Sequence, residues 1–269
     1  MNNSNIAFIG AGNMATSLIM GLLNKGSTPS NIAACDIDPD KLGQLRAECG
    51  IRTGTLHEVV KTADVIVLAV KPQAMEQLCA TLKPLLPATG CVIISIAAGI
   101  PLYKFEAWLG AQQAIVRCMP NTPALVSEGA TGLFANANTS ASQAALAETI
   151  LSAVGICSWL ENEEAINAVT ALSGSGPAYY FLMMEAMEQV AVKMGLNPEM
   201  ARRFTIQTAL GAAKLAAASD VAPDELRRRV TSPGGTTEAA IKSFEHEDFR
   251  GIVEHALTAA QKRSIELAD

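Results

Sequence analysis

Near the amino terminus, Gly10-Ala11-Gly12-Asn13-Met14-Ala15 places two glycines and an alanine at G-x-G-x-x-A spacing. The apolar run Ile6-Ala7-Phe8-Ile9 lies directly before it, and an amphipathic stretch lies directly after. Such a strand-to-helix turn suits a pyrophosphate: Gly10 makes the tight turn, Gly12 lets the backbone approach the phosphates, and Ala15 lets the helix pack close to its strand. The spacing alone is weak, and its placement between strand and helix makes it specific. After the next apolar run, Ala33-Ala34-Cys35, comes Asp36, where a carboxylate accepts the ribose hydroxyls of an adenine dinucleotide. Asp36 and Asp38 would together repel a 2′-phosphate, and no arginine follows until Arg46, so NADH is expected over NADPH unless Lys41 or backbone donors compensate. Asp38, just before Pro39, also has the pattern of a helix cap.

Further candidates follow later strands. Ala69-Val70-Lys71-Pro72 and Ala98-Gly99 would flank the dinucleotide from the far side of its crevice. Lys71 reads equally as a cofactor or substrate contact and as a solvated strand end. Two glycine-rich breaks, Ser173-Gly174-Ser175-Gly176-Pro177 and Ser232-Pro233-Gly234-Gly235-Thr236-Thr237, each offer hydroxyls and helix-start N–H groups for a carboxylate. On spacing alone, a capped turn between helices is the better reading of each. No general base accompanies them: His57, His246 and His255 all lie outside these loops.

The elements that must position these residues change character partway along the chain. From residue 6 to about residue 160, short β-branched runs alternate with longer amphipathic stretches, the pattern of parallel βαβ units. Strands are predicted at Ile6 to Ile9, Asn31 to Cys35, Asp64 to Val70, Cys91 to Ala97 and Ala114 to Met119. After about Glu161 only helical patterns remain, among them Ala178 to Met194 and Thr205 to Ala218, both apolar on most faces. The fold class is therefore α/β: an N-terminal Rossmann domain, doubly wound with a mainly parallel sheet, plus an all-α C-terminal domain. The predicted domains are residues 1–161, binding the dinucleotide, and 162–269, binding substrate and forming a homodimer. The dimer is expected because helices apolar all round need covering on every side.

Composition narrows the partners. A net charge of −6 and 4% aromatic residues argue against nucleic acid. The apolar run Val65 to Val70 is far too short for a bilayer, and the N-terminus lacks a basic, apolar leader. Six scattered cysteines without a C-x-x-C pair indicate neither disulfides nor a metal. A cytoplasmic protein is expected.

Taken together, Phe8-Ile9-Gly10-Ala11-Gly12-Asn13-Met14-Ala15, Ala69-Val70-Lys71-Pro72, Arg117-Cys118-Met119-Pro120-Asn121-Thr122-Pro123, Leu172 to Tyr179 and Val230 to Thr237 resemble the pyrroline-5-carboxylate reductases. The resemblance runs the whole chain. It implies reduction of the cyclic imine 1-pyrroline-5-carboxylate to L-proline by NADPH or NADH, the last step of proline biosynthesis. It also implies that Ser232, Gly234, Gly235, Thr236 and Thr237 hold the substrate. Thr237 would be the catalytic residue, hydrogen-bonded to the ring nitrogen, with Ser232 and nearby amides on the carboxylate. Asn121 and Pro123 would lie beside the nicotinamide, and the helical domain would intertwine with its partner, as in the family's dimers and larger rings. Leu56 departs from the asparagine that many members place near the adenosine. Imine reduction needs a protonated nitrogen and an anchored carboxylate, and it proceeds without a strong base. Two other readings are a β-hydroxyacid dehydrogenase-like oxidoreductase and a non-catalytic dinucleotide-binding regulator. The first would require a lysine where Phe181-Leu182-Met183-Met184-Glu185 stands, and the second leaves the Ser232 to Thr237 turn without a purpose.

Overall fold

A computed structural model describes residues 4–87 and 90–268. By contacts the chain divides into two compact units. One holds the residues up to Ser175 together with those from Ala260 onward, and the other is Gly176–Ala259.

The first unit alternates strand and helix through β1 (Ile6–Ile9), α1 (Asn13–Asn24), β2 (Ile32–Cys35), α2 (Pro39–Cys49), β3 (Arg52–Thr53), α3 (Leu56–Val60), β4 (Val65–Leu68), α4 (Met75–Leu82), β5 (Val92–Ser95), α5 (Leu102–Leu109) and β6 (Ala114–Met119). It continues with β7 (Gly129–Ala135), α6 (Ala141–Leu151), β8 (Gly155–Trp159) and α7 (Ala165–Val169). The strands form one sheet in the order β3-β2-β1-β4-β5-β6-β7-β8, every neighbouring pair parallel except β6 and β7. The order reverses between β1 and β4. Such a reversal opens a crevice at the carboxyl ends of the strands, where the Gly10 loop lies.

Strand residues point alternately to the two sheet faces, and both faces are covered. Ile6, Phe8, Val65, Val67, Val92 and Ile94 pack with Leu18, Ile19 and Leu22 of α1. Ala7, Ile9, Ile66, Leu68 and Ile93 pack with Met75, Cys79, Leu82 and Phe105 from α4 and α5. Two buried faces explain why these strands read as unbroken apolar runs, and each fully buried Leu, Ile or Phe contributes roughly 1.5–3 kcal/mol. Burial also raises the thiols of Cys35 and Cys91 to about 11 and that of Cys79 to about 12, so all three are protonated core side chains at neutral pH.

Three strands go beyond the sequence expectation. β3 is two residues on an edge. β7 and β8 carry Gly129, Gly132 and Gly155 in place of β-branched residues; a side chain on Gly155 would overlap the Gly129 backbone, so the tight pairing of the two strands excludes the residues that advertise a strand. The expected break at Ser173 to Pro177 is also corrected. Thr170–Gly174 form a wide π-helical turn, Ser175 keeps near-helical dihedrals, and the next helix starts at Gly176 with Pro177 in its first turn, where the missing N–H costs nothing.

The second unit contains α8 (Gly176–Lys193), α9 (Pro198–Ala217), α10 (Pro223–Arg229) and α11 (Thr236–His246). It also holds the start of α12 (Phe249–Glu266), which ends in the first unit. Among the described residues of this unit only Gly176, Ala201 and Thr205 are buried. Tyr180, Phe181, Leu182, Met194, Phe204 and Ile252 are all more than half exposed. So much apolar surface on so little core marks a face made to be covered.

Candidate active site

Gly10 ties three strand ends together. Its N–H donates to Cys35 O at 2.8 Å, while Ala69 N–H donates to Ile9 O at 2.8 Å. Its φ is +106°, and a Cβ there would sit 2.6 Å from Ala69 O, so only glycine fits between the ends of β1 and β4. Gly12 differs. It is the N-cap of α1 in extended backbone, supplies no side-chain cap, and has no atom within 4 Å of where a Cβ would project. The first turn of α1 contains no acid and no side-chain cap, which leaves its N–H groups and the positive helix end without an anionic partner from the helix itself. These features fit a pyrophosphate.

Asp36 holds this loop from the side. Its Oδ2 accepts Ala11 N–H at 2.6 Å and its Oδ1 accepts Asp38 N–H at 2.9 Å, joining the glycine loop to the β2–α2 turn. Each oxygen keeps acceptor capacity for a ribose hydroxyl. Asp38 caps α2 through Asp40 and Lys41 N–H, and the bonds from Lys41 hold its carboxyl below the usual range. Lys41 Nζ lies 3.3 Å from Asp38, so this lysine already faces a carboxylate. Between the two acids, Ile37 is wholly exposed and offers an apolar contact to an adenine ring. Sequence reasoning passed over Ile37; an isoleucine between two acids in a turn was the available signal.

On the far side of the crevice, Ala69 and Val70 are half-buried, and Lys71 and Ala98 are exposed. Asn121 is 9% exposed and both ends of its amide are bonded: Nδ2 donates to Ser173 O at 3.0 Å and Oδ1 accepts Ala130 N–H at 2.8 Å. It therefore clamps the loop after β6 to the π-helical turn, while Pro123 sits half-buried in the 3₁₀ turn that follows. Arg117, nearly buried on β6, pairs with Glu163 at 2.7 Å, and the same Glu163 oxygen accepts Leu102 N–H at 2.7 Å. Removing Glu163 would strand a buried charge. An arginine inside an apolar strand is the sequence sign of this brace, whose acidic partner local spacing does not reveal.

In the helical unit, the Ser232 to Thr237 turn leads into α11. Gly234 N–H donates to Glu238 Oε2 at 2.8 Å and Gly235 N–H to Ser232 O at 3.0 Å. Gly235 is the N-cap without a side-chain bond, so the donors left for a carboxylate are the first-turn N–H groups of Thr236 and Thr237 and the hydroxyls of Ser232, Thr236 and Thr237. Glu238 is kept ionised by the Gly234 N–H and by Lys242, 3.0 Å away, which together hold its carboxyl below the usual range. Glu238→Ala releases the turn and is expected to raise the KM for a carboxylate substrate about threefold to tenfold, an upper range for an exposed bond. The cofactor KM should not change; steady-state kinetics with each substrate varied would decide, and an unchanged substrate KM would rule out this bracing. His57 on α3, His246 at the end of α11 and His255 on α12 lie outside both loops.

Among the described residues no group of three or more His, Cys, Asp or Glu is placed to hold a metal ion, and no helix is long and apolar enough to cross a membrane.

Residues 163–267 match the pyrroline-5-carboxylate reductase dimerisation family, and residues 5–99 match a family described as NADP oxidoreductase, coenzyme F420-dependent. The chain is 55% identical to a pyrroline-5-carboxylate reductase of Pseudomonas aeruginosa, over 100% of this chain and 98% of that one. A solved pyrroline-5-carboxylate reductase from Coxiella burnetii is 46% identical with a TM-score of 0.96, each chain fully covered. A pyrroline carboxylate reductase of Plasmodium falciparum, solved with NADP bound, is 29% identical with a TM-score of 0.87, again over both full chains. With a relative so similar along its whole length, this chain belongs to the pyrroline-5-carboxylate reductase family.

Proposed function

We propose that this protein reduces 1-pyrroline-5-carboxylate to L-proline with NADPH or NADH. The observation that carries the reading is the uncapped turn opening α11, in a chain that also presents an uncapped glycine loop for a dinucleotide. When bound, the nicotinamide supplies the hydride. The chain's own groups do the rest. First-turn N–H groups of Thr236 and Thr237, with the Ser232 hydroxyl, anchor the substrate carboxylate, and the Thr237 hydroxyl holds the ring nitrogen in the orientation that keeps its proton in place. No base is needed, because reduction of a protonated imine takes up charge at nitrogen without removing a proton from carbon. The Gly10 to Ala15 loop, Asp36, Ala69 to Pro72 and Ala98 would hold the cofactor. Asn121 and Pro123 would shape its nicotinamide end.

The same reading makes residues 1–161 the nucleotide-binding part and 162–269 the substrate and homodimer part, supported by a dimerisation match that begins at residue 163. Larger rings of such dimers and a cytoplasmic location complete the proposal. The test is proline formation from 1-pyrroline-5-carboxylate with each cofactor side by side; no proline with either would sink it. The cofactor arm has its own expected result. Asp36 and Asp38 flank the place a 2′-phosphate would take, and Lys41 is already paired, so kcat/KM with NADH should equal or exceed that with NADPH. A tenfold advantage for NADPH would overturn this preference.

A further inference from the structure

The loop after β5, Ile96 to Pro101, carries Ala98 on the cofactor side of the first unit and is buttressed by the last turn of α12 and the residues just beyond it. Gly99 adopts φ +74°, and a Cβ there would lie 3.2 Å from Leu267 O and 3.4 Å from Leu267 Cβ, so Leu267 closes the space beside the bend of the loop. Further along, on α5, Lys104 Nζ donates to Ala268 O at 2.7 Å, a cation on the carbonyl end of a helix, where the dipole favours it. A third contact fixes the helix itself: Ser264, 6% exposed, donates its hydroxyl to Asn167 Oδ1 at 2.8 Å. On the other side Leu102 N–H is held by Glu163, the partner of buried Arg117. The loop is thus gripped from two directions, and one grip comes from residues more than 160 positions later in the chain.

We propose that Lys104 and Leu267 are positioning residues for the cofactor: they strap the Ile96 to Pro101 loop into the conformation that receives the dinucleotide. The inference rests on the cofactor reading above. Neither side chain need touch the dinucleotide. Without the strap, a loop with a glycine at its bend samples other conformations, and binding must first select the competent one, which lowers apparent affinity by the fraction populated. The effect falls on cofactor affinity and leaves the carboxylate turn of the helical unit alone.

The test uses the full chain with Lys104→Met, Lys104→Arg and Gly99→Ala. Lys104→Met removes the ammonium and keeps the stem, and a lost charge-assisted bond of this kind corresponds to about a tenfold loss. NADPH and NADH affinity, measured by fluorescence titration without substrate, should fall by about that factor, while the KM for 1-pyrroline-5-carboxylate at saturating cofactor stays within about twofold. In the cofactor-free protein, amide hydrogen exchange across residues 97–102 should accelerate. Lys104→Arg, which can still reach the Ala268 carbonyl, should restore both, and Gly99→Ala should reproduce the loss from the other partner. Unchanged cofactor affinity and exchange in Lys104→Met would overturn the strap, as would a loss that Lys104→Arg does not rescue. If Lys104→Met fails to fold, Gly99→Ala and Lys104→Arg carry the same comparison. A wild-type protein that binds NADPH but makes no proline would sink the reductase reading and leave the strap testable by affinity and exchange.

Discussion

Thr237→Ala is expected to lower kcat for 1-pyrroline-5-carboxylate by about a hundredfold, the scale seen when one preorganised donor at a reacting centre is removed. The expectation follows from scarcity. With Gly234 N–H given to Glu238 and Gly235 N–H to Ser232, the turn retains few donors, and Thr237 is the half-buried hydroxyl among them. No histidine stands in the turn to substitute. Cofactor affinity should be unchanged, since the glycine loop belongs to the other unit. Thr237→Ser separates the hydroxyl from the methyl: it should recover most of the rate, whereas equal losses in the two variants would mean that packing, not the hydroxyl, matters. Equal kcat in wild type and Thr237→Ala would remove Thr237 from the mechanism.

The second large effect concerns Gly10 and Gly12, two glycines of one motif with different physical duties. Gly10→Ala forces a Cβ to within 2.6 Å of Ala69 O at a φ of +106°, so β1 and β4 must separate or the turn must change. Strain of this type costs about 1–3 kcal/mol for the dihedral alone, and the overlap adds to it. Both thermal stability and cofactor affinity should fall, the latter by about a hundredfold if the loop shifts by the order of an ångström. Gly12→Val meets no protein atom within 4 Å of its Cβ and has a φ of −76°, open to any residue. Its melting temperature should stay near wild type while NADPH binding is abolished, because the side chain fills the approach to the α1 amides. Titration and thermal melting of the pair check this. A Gly12→Val protein that binds NADPH normally would mean the pyrophosphate lies elsewhere.

Much of this was legible in the residues, and the exceptions have physical causes. Strands buried on both faces announce themselves as Val65 to Val70 does, and Asp38-Pro39 marks a helix start that the structure reproduces through the Asp38 cap. β7 and β8 were hidden because their close pairing requires glycine at positions where a typical strand carries Val or Ile. Ser173-Gly174-Ser175-Gly176-Pro177 reads as a break because glycine and proline are poor helix formers, yet tertiary contacts override propensity, with Asn121 holding Ser173 O from the loop after β6. That bond also shows that a residue named from a motif can serve the scaffold, since Asn121 ties its loop both to Ser173 and to Ala130. The Gly99–Leu267 and Lys104–Ala268 contacts could not be seen from local spacing, because they join segments far apart in the chain.

Those last contacts bear on how the protein is made. The nucleotide-binding unit is completed by residues from Ala260 onward, which leave the ribosome only after the whole helical segment Gly176–Ala259 has been synthesised. Its sheet can form early, but the loop after β5 lacks that support until the residues after Ala260 have emerged. The growing chain therefore carries an unsupported loop throughout synthesis of the helical segment, and the contact that completes it is a long-range event of the kind that slows folding.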